Sequence, residues 1–317
     1  MMIGQAPAFV RATNMLRRFA AFDAPLLIEG ETGTGKELAA RFVHYGNARR
    51  SGPFVPVNCG AIPDSLFENE LFGHDRGAFT DARADRAGLV ALACGGTLFL
   101  DEIDSLSPKG QVALLRFLQD NTYRRLGSGT EQRADVRIIA AANVSLDALS
   151  DRGGFRRDLL FRIKLLFVEL PPLRERPGDV RLLAEHFLAE CGRMYGAPPK
   201  RLRPAGAATL EAYRWPGNVR ELENVLHRAV LLSDGPDLTL DASGPDPGGA
   251  PARRDDRGYR AARARAIEDF HRQFLGELLE SVRGNLSSAA RRCGADRRML
   301  GRLVRRYGID LTRFRDT

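Results

Sequence analysis

Apolar and polar positions change period repeatedly along the first 170 residues. Short apolar runs, closed by glycine or acidic residues, are interleaved with stretches at helical spacing. "PLLIEG" ends at Gly30 and the helical "KELAARFVHYG" follows. "FVPVN" precedes helical "PDSLFENELFG", and "GTLFLDEI" precedes helical "PKGQVALLRFLQD". "DVRIIAAAN" and "KLLFVEL" are two further strand runs. A continuous apolar strand has no face left for water. The alternation therefore predicts an α/β fold: a parallel sheet with helices on both faces.

After "LPPLRERPGD" the pattern is purely helical. Val180, Leu183, Ala184, Phe187 and Leu188 share one face. A later helix opens at "WPGNVRELENVLHRAVLL", with Asn218 as its expected cap and Glu221 reaching back. Val219, Leu222, Val225, Leu226, Ala229 and Val230 form its buried stripe. Ser233 to Gly258 is rich in Gly, Pro and Asp, has no apolar period, and reads as a linker. Three short helical stretches follow, ending near Tyr307.

Charge sharpens this division. Residues 251–317 carry 17 Arg against 9 acidic residues, an excess that equals the net charge of the whole 317-residue chain, +8. A basic terminal module on a neutral body points to a nucleic-acid reader joined to something else. Cys59, Cys94, Cys191 and Cys293 are far apart and unpaired in spacing, which fits a reducing compartment and small packed residues rather than ligands. The histidines show no metal-type pairing. No run is long enough to span a bilayer, and "MMIGQAPAFVRAT" lacks the apolar stretch of a signal peptide, so the expected location is cytoplasmic, without membrane insertion.

"GETGTGKE" follows a strand and opens a helix, the context that makes a phosphate-binding loop credible. Gly30, Glu31, Thr32, Gly33, Thr34, Gly35, Lys36 and Glu37 would form the cradle. Glycines let backbone N–H groups converge on phosphate oxygens, and Lys36 adds a point charge near the β and γ phosphates. The general pattern has Ser or Thr after the lysine; here it is Glu37. "LFLDEI" puts Asp101 and Glu102 at the end of a hydrophobic strand, where parallel sheets bind ligands. Asp101 would hold magnesium through water, and Glu102 would polarise the attacking water. "ELFGHDRGAFTDA" has no apolar period and reads as a loop, interrupted by Gly73 and Gly77. Its Phe79 either packs into the core or is held out to a partner.

These stretches together resemble a family. "GETGTGKELAA", "VNCGAI", "ELFGHDRGAFTDA", "GGTLFLDEI", "LPPLRERPGDV" and "WPGNVRELEN" match, in order, motifs of the NtrC-type AAA+ activators of sigma-54 RNA polymerase, the bacterial enhancer-binding proteins. The resemblance runs from about Ile3 to Leu232 and resumes from about Ile267. It implies an AAA+ ATPase that uses ATP and magnesium. Asn58 would be the switch holding Glu102 from water until the γ phosphate is sensed. Asn143 would be the first sensor, although Ala142 stands where the family usually has Thr. Arg156 and Arg162 would be arginine fingers reaching a neighbouring subunit, and Arg220 the second sensor on a helical lid. Fingers acting in trans imply a hexameric ring, built from dimers.

The resemblance also implies that Gly77, Ala78, Phe79 and Thr80 contact sigma-54. Asp81 replaces the family's glycine there and brings a charge and a backbone cost. "GNLSSAARRCGADRRMLGRLVRRYGI" resembles the Fis-type helix-turn-helix of these activators. Asn285 and Asp296 would cap its helices. Arg297, Arg298, Arg302, Arg305 and Arg306 would face bases or phosphates of double-stranded, enhancer-like DNA.

The expected division is residues 1–171, nucleotide-binding α/β; 172–234, helical lid; 235–258, linker; and 259–317, DNA reader. The chain begins almost at the ATPase domain, which gives the expectation of control by a separate regulatory protein or by expression level. The expected function is ATP-driven remodelling of the sigma-54 polymerase closed complex. The competing expectation, favoured by Asp81 and Ala142, is a DNA-binding regulator of the same fold that acts without sigma-54.

Overall fold

The computed structural model describes residues 2–79, 82, 84–196, 200–233, 235, 237–238 and, further on, 278, 279, 282, 288, 289 and 304. The chain divides into two compact units, Met1–Pro247 and Gly248–Thr317. In chain order the first unit runs α1 (Pro7–Phe19), β1 (Leu26–Glu29), α2 (Lys36–Tyr45), β2 (Phe54–Asn58), α3 (Asp64–Phe72), β3 (Gly73–His74) and β4 (Arg86–Ala87). There follow α4 (Leu89–Leu92), β5 (Thr97–Asp101), α5 (Pro108–Asp120), β6 (Thr122–Arg124), β7 (Glu131–Arg133) and β8 (Arg137–Ala142). The unit continues with α6 (Leu146–Asp151), α7 (Arg157–Ile163), β9 (Leu166–Glu169), α8 (Asp179–Tyr195), β10 (Arg201–Leu202), α9 (Pro204–Ala212), α10 (Asn218–Leu232) and β11 (Asp237–Leu238).

Five strands form one parallel sheet in the order β2-β5-β8-β1-β9. Period-2 geometry divides their side chains between two cores. Leu27, Leu98, Leu100, Ile138 and Ala140 face one core, with Phe67, Leu71, Leu114, Phe117 and Leu159 from helices. Leu26, Ile28, Phe99, Ile139 and Ala141 face the other, with Leu16, Ala39 and Val43. Both faces are covered, as the unbroken apolar runs require. Each fully buried Leu or Ile is worth roughly 1.5–3 kcal/mol.

A third core belongs to α8, α9 and α10 and is built around Trp215, whose Nε1 donates to Leu210 O (2.8 Å). The amino-terminal segment is tied to this helical layer by one ion pair. Asp179 accepts from the backbone N–H of Gln5 and Ala6 and from Arg176 Nε (2.8 Å), and Arg176 lies over the Phe9 ring at 3.7 Å.

Three readings of the sequence change. Glu70–Phe72 is the last turn of α3, as the helical stretch "PDSLFENELFG" predicts, but Gly73 with His74 is not loop: it pairs as a short strand with Arg86 and Ala87. Asn218 does not cap α10 from outside. It is the first helical residue, and Gly217 stands in the cap position. Glu221 does reach back, one residue further than expected, accepting from Gly217 N (2.7 Å). Cys59 and Cys191 are buried, but Cys94 is exposed. Burial pushes the Cys59 thiol up to about 12, which makes it inert at neutral pH. Cys293 lies outside the described residues. Among the described residues, no helix is long and apolar enough to cross a membrane.

In the second unit Leu279, Ala289 and Val304 are buried. Arg297, Arg298, Arg302, Arg305 and Arg306, with the expected helix-turn-helix, lie outside the described residues.

Candidate functional site

The carboxyl ends of three adjacent strands supply the site. β1 runs into the loop Gly30–Gly35, β5 ends on Asp101, and β8 ends one residue before Asn143. Parallel sheets concentrate ligand contacts at that edge. Gly30, Gly33 and Gly35 all have positive φ (155°, 81° and 96°), which folds the loop back over the start of α2. Gly33 is doubly constrained, because an added Cβ would sit 2.2 Å from Gly217 O.

Lys36 opens α2 and is almost fully buried. Its Nζ donates to Gly30 O (2.7 Å), Glu31 O (3.1 Å) and Asn143 Oδ1 (2.7 Å). Thr34 Oγ1 also donates to Glu31 O, at 2.8 Å. Burial lowers the Lys36 pKa, and Asp101, Asp104 and Glu102 oppose that shift. Burial raises the Asp101 pKa, against the Glu102 backbone N–H that it accepts (2.9 Å) and the Lys36 charge. The pair thus holds two charges that water would otherwise solvate, beside a strand end open to a ligand. Glu102 sits at φ 54°, a left-handed position costly for a non-glycine residue.

Asn58 ends β2 next to Asp101 in the ladder. Its Oδ1 accepts from Ala61 N (3.0 Å), while Gly60 lies where a Cβ would meet the Glu102 carboxylate at 2.7 Å. Among the described residues, Asn58 and Glu102 share no hydrogen bond in this arrangement. Asn143 Oδ1 receives a second hydrogen bond, from Thr32 Oγ1 at 3.3 Å, and its own N–H donates to Asp104 Oδ1 at 3.1 Å. Asp104 is a residue that the sequence reading did not single out. Glu37 faces outward in an exposed ion pair with Arg41 (2.8 Å).

The lid closes directly on the phosphate loop. Gly33 O accepts from Val219 N (3.0 Å) and Arg220 N (3.4 Å) at the start of α10. Asn218, fully buried at φ 51°, accepts from Leu173 N through Oδ1. Its Nδ2 donates to Glu31 Oε2 and Thr32 O. Arg174 pairs with both oxygens of Glu31 at 2.7 Å, and this holds the Glu31 carboxyl below the usual carboxylate range. Asn218 and Arg174 come from the two helical motifs, yet nothing in those motifs identifies Glu31, more than 140 residues earlier, as their partner. Thr32, Gly33, Gly35, Lys36, Glu37, Asp101, Glu102, Asn143 and Arg220 line one cavity of about 200 Å³.

Arg156 and Arg162 do not line that cavity. Arg156 is exposed and bidentate on Asp158 (3.0 and 2.7 Å). Arg162 is exposed on α7, and its guanidinium has no ion pair or hydrogen bond among the described residues. Phe79 is 44% exposed at a loop tip remote in sequence from every phosphate contact. Of the loop's other expected contact residues, Gly77 and Ala78 are described and Thr80 is not.

Comparison with known proteins agrees with this geometry. Residues 2–169 match the sigma-54 interaction domain, and residues 174–245 match the AAA+ ATPase lid domain. The response regulator protein PilR of Pseudomonas aeruginosa is 41% identical over 98% of this chain and 70% of its own length. The nitrogen fixation protein AnfA of Azotobacter vinelandii is 38% identical over 98% of this chain and 58% of its own length. The chain therefore spans 58% of one of these relatives and 70% of the other. The crystal structure of NtrX from Brucella abortus in complex with ATP has a TM-score of 0.72 and 32% identity, over 97% of this chain and 69% of that one.

Proposed function

This chain belongs to the AAA+ ATPases that activate sigma-54 RNA polymerase, and from that premise we propose that it hydrolyses ATP to remodel the closed complex at enhancer-controlled promoters. The convergence of Lys36, Asp101, Glu102, Asn143 and Arg220 on one cavity carries the reading. A nucleotide's phosphates would enter beneath the Gly30–Gly35 loop and draw Lys36 Nζ from the carbonyls of Gly30 and Glu31. Asn143 would release Lys36 and turn to the γ phosphate. Glu102 would take the proton of the attacking water, with Asn58 setting when it does so.

The residues suit magnesium. Asp101 supplies one hard oxygen, and magnesium completes its shell with water and phosphate oxygens rather than with protein alone. Among the described residues no group of three or more His, Cys, Asp or Glu converges on a metal, so the nucleotide would bring part of the ion's coordination. The ion would neutralise charge on the β and γ oxygens.

Arg156 and Arg162 lie away from their own cavity, which supports action on a neighbouring copy and hence a ring, the hexamer expected of the family. Arg156 would leave Asp158 to do so. The lid contacts at Gly33 would report the nucleotide's state, through Arg220, to the helical layer. Residues 1–171, 172–234, 235–258 and 259–317 are the working division, the last part reading double-stranded DNA. Phe79 and Thr80 would engage sigma-54.

Transcription in vitro tests this reading. With sigma-54 polymerase, a sigma-54 promoter and ATP, the chain should form open complexes, and without ATP it should not. DNA binding with no ATP-dependent open complex would favour the regulator that acts without sigma-54.

A further inference from the structure

The loop that carries Phe79 has its own bed. Gly77 N donates to Ala82 O and Ala82 N to Phe79 O, both at 2.9 Å, so the tip is drawn in tightly above Gly77, which has φ 84°. Below it the loop is stitched to the connection between β6 and β7. Asp75 N donates to Leu126 O (3.0 Å), Leu126 N donates to Gly73 O (2.9 Å), and Asp75 faces Arg125 at 3.7 Å. Ala78 packs so closely on Gly127 that an added Cβ there would approach Ala78 Cβ to 2.7 Å. In this bed the Phe79 ring meets one aromatic partner, His74, with centroids 4.9 Å apart and planes at 65°.

His74 is itself fixed. It is buried, and its Nδ1 donates to Asn69 Oδ1 at 2.7 Å, across the last turn of α3. An edge-on ring pair with this spacing is a stabilising arrangement. The ring of Phe79 is thus half covered by a side chain that is rigidly held, while its other half faces solvent.

We propose that His74 is a positioning residue of the sigma-54 loop: it seats Phe79 against the body of the protein and must give the ring up before a partner can take it. The inference rests on the proposed role of the loop. It adds a residue that touches neither nucleotide nor sigma-54, yet sets how readily the aromatic is presented. Asn69 serves the seat by holding the imidazole plane.

Acrylamide quenching tests it without polymerase. Phe79→Trp puts an indole at the tip, and the other tryptophan, Trp215, is fully buried and shielded from the quencher. In the Phe79→Trp protein, His74→Ala should release the indole, lowering the ratio of seated to free indole by roughly 2- to 10-fold, the range one aromatic pair supports. His74→Phe should restore part of the shielding, because it keeps the ring edge and loses the bond to Asn69 that holds its plane. If His74→Ala lowers the melting temperature enough to obscure the reading, His74→Leu fills the space without a ring and should release the indole in the same way. Equal quenching with His, Ala, Leu and Phe at position 74 would overturn the proposal. Binding of sigma-54 is then measured without nucleotide, and His74→Ala should capture more of it than the parent does. If the indole is released but no form of the protein engages sigma-54 with or without ATP, the seat stands and the proposed function falls.

Discussion

Lys36 Nζ and Asn143 Oδ1 are joined by a 2.7 Å hydrogen bond, although 107 residues separate them. The bond links the phosphate loop after β1 to the end of the neighbouring strand β8. It ties the cation that would hold the β and γ phosphates to the amide that would sense them.

Lys36→Ala should abolish ATP binding, because nothing else in the cavity supplies a buried positive charge beneath the loop. Glu102→Gln should bind ATP normally and lose hydrolysis by about 10²–10⁴-fold, the range for a general base. Equilibrium binding of a fluorescent ATP analogue and phosphate release, measured on both variants, check this. Wild-type turnover in Glu102→Gln would remove that residue from its role.

The Arg174–Glu31 pair should matter to lid docking rather than to chemistry. Arg174→Ala is expected to speed amide exchange at Val219 and Arg220, whose N–H groups donate to Gly33 O. An exposed pair contributes little because solvent screens it, so the change should be at most severalfold. The sign of its pH dependence follows from Glu31, whose folded pKa is depressed by Arg174. Stability from such a group is present above its unfolded value and is lost as pH falls through the folded one. The difference in Tm between wild type and Arg174→Ala should therefore shrink as the solution is acidified through the carboxylate range. A difference independent of pH would mean that the pair does not stabilise the lid.

Arg162→Ala should fold, bind ATP and lose hydrolysis by roughly 10³-fold or more, as removal of an arginine finger does elsewhere. Mixed with Lys36→Ala subunits it should recover part of its activity, since each variant supplies what the other lacks. The absence of recovery in rings shown by native mass spectrometry to be mixed would argue against action between subunits.

Arg297→Ala with Arg298→Ala should weaken DNA binding by the whole chain. If both contact phosphates, the slope of log K against log salt should fall by about two. An unchanged slope with altered sequence preference would assign them to bases instead.

Much of the fold is visible in the sequence because both faces of the sheet are covered. Leu26, Leu27 and Ile28 are all fully buried, so their run has no polar interruption and betrays the strand directly. The phosphate loop and the Asp101–Glu102 pair are equally plain, since their chemistry dictates residue type at fixed spacing. Asn218 was misleading for the same reason. It has the composition of a cap, but its left-handed backbone turns the side chain toward Glu31 and Leu173, which local pattern cannot reveal. Arg174 and Asp104 were missed because their partners are distant in sequence or become neighbours only when strands align. The seat of Phe79 depends on the pairing of Gly73 and His74 with Arg86 and Ala87, which the glycines at 73 and 77 hide.

Phe79→Ala decides whether hydrolysis is coupled to sigma-54 through this loop. Open-complex formation and ATP turnover should be measured on the same preparation, with sigma-54 polymerase and a promoter carrying the chain's DNA site. The expected result is ATP turnover close to wild type with open complexes abolished, because Phe79 does not line the nucleotide cavity. Normal open-complex formation by Phe79→Ala would contradict the account, since the energy of ATP would then reach polymerase by another part of the molecule.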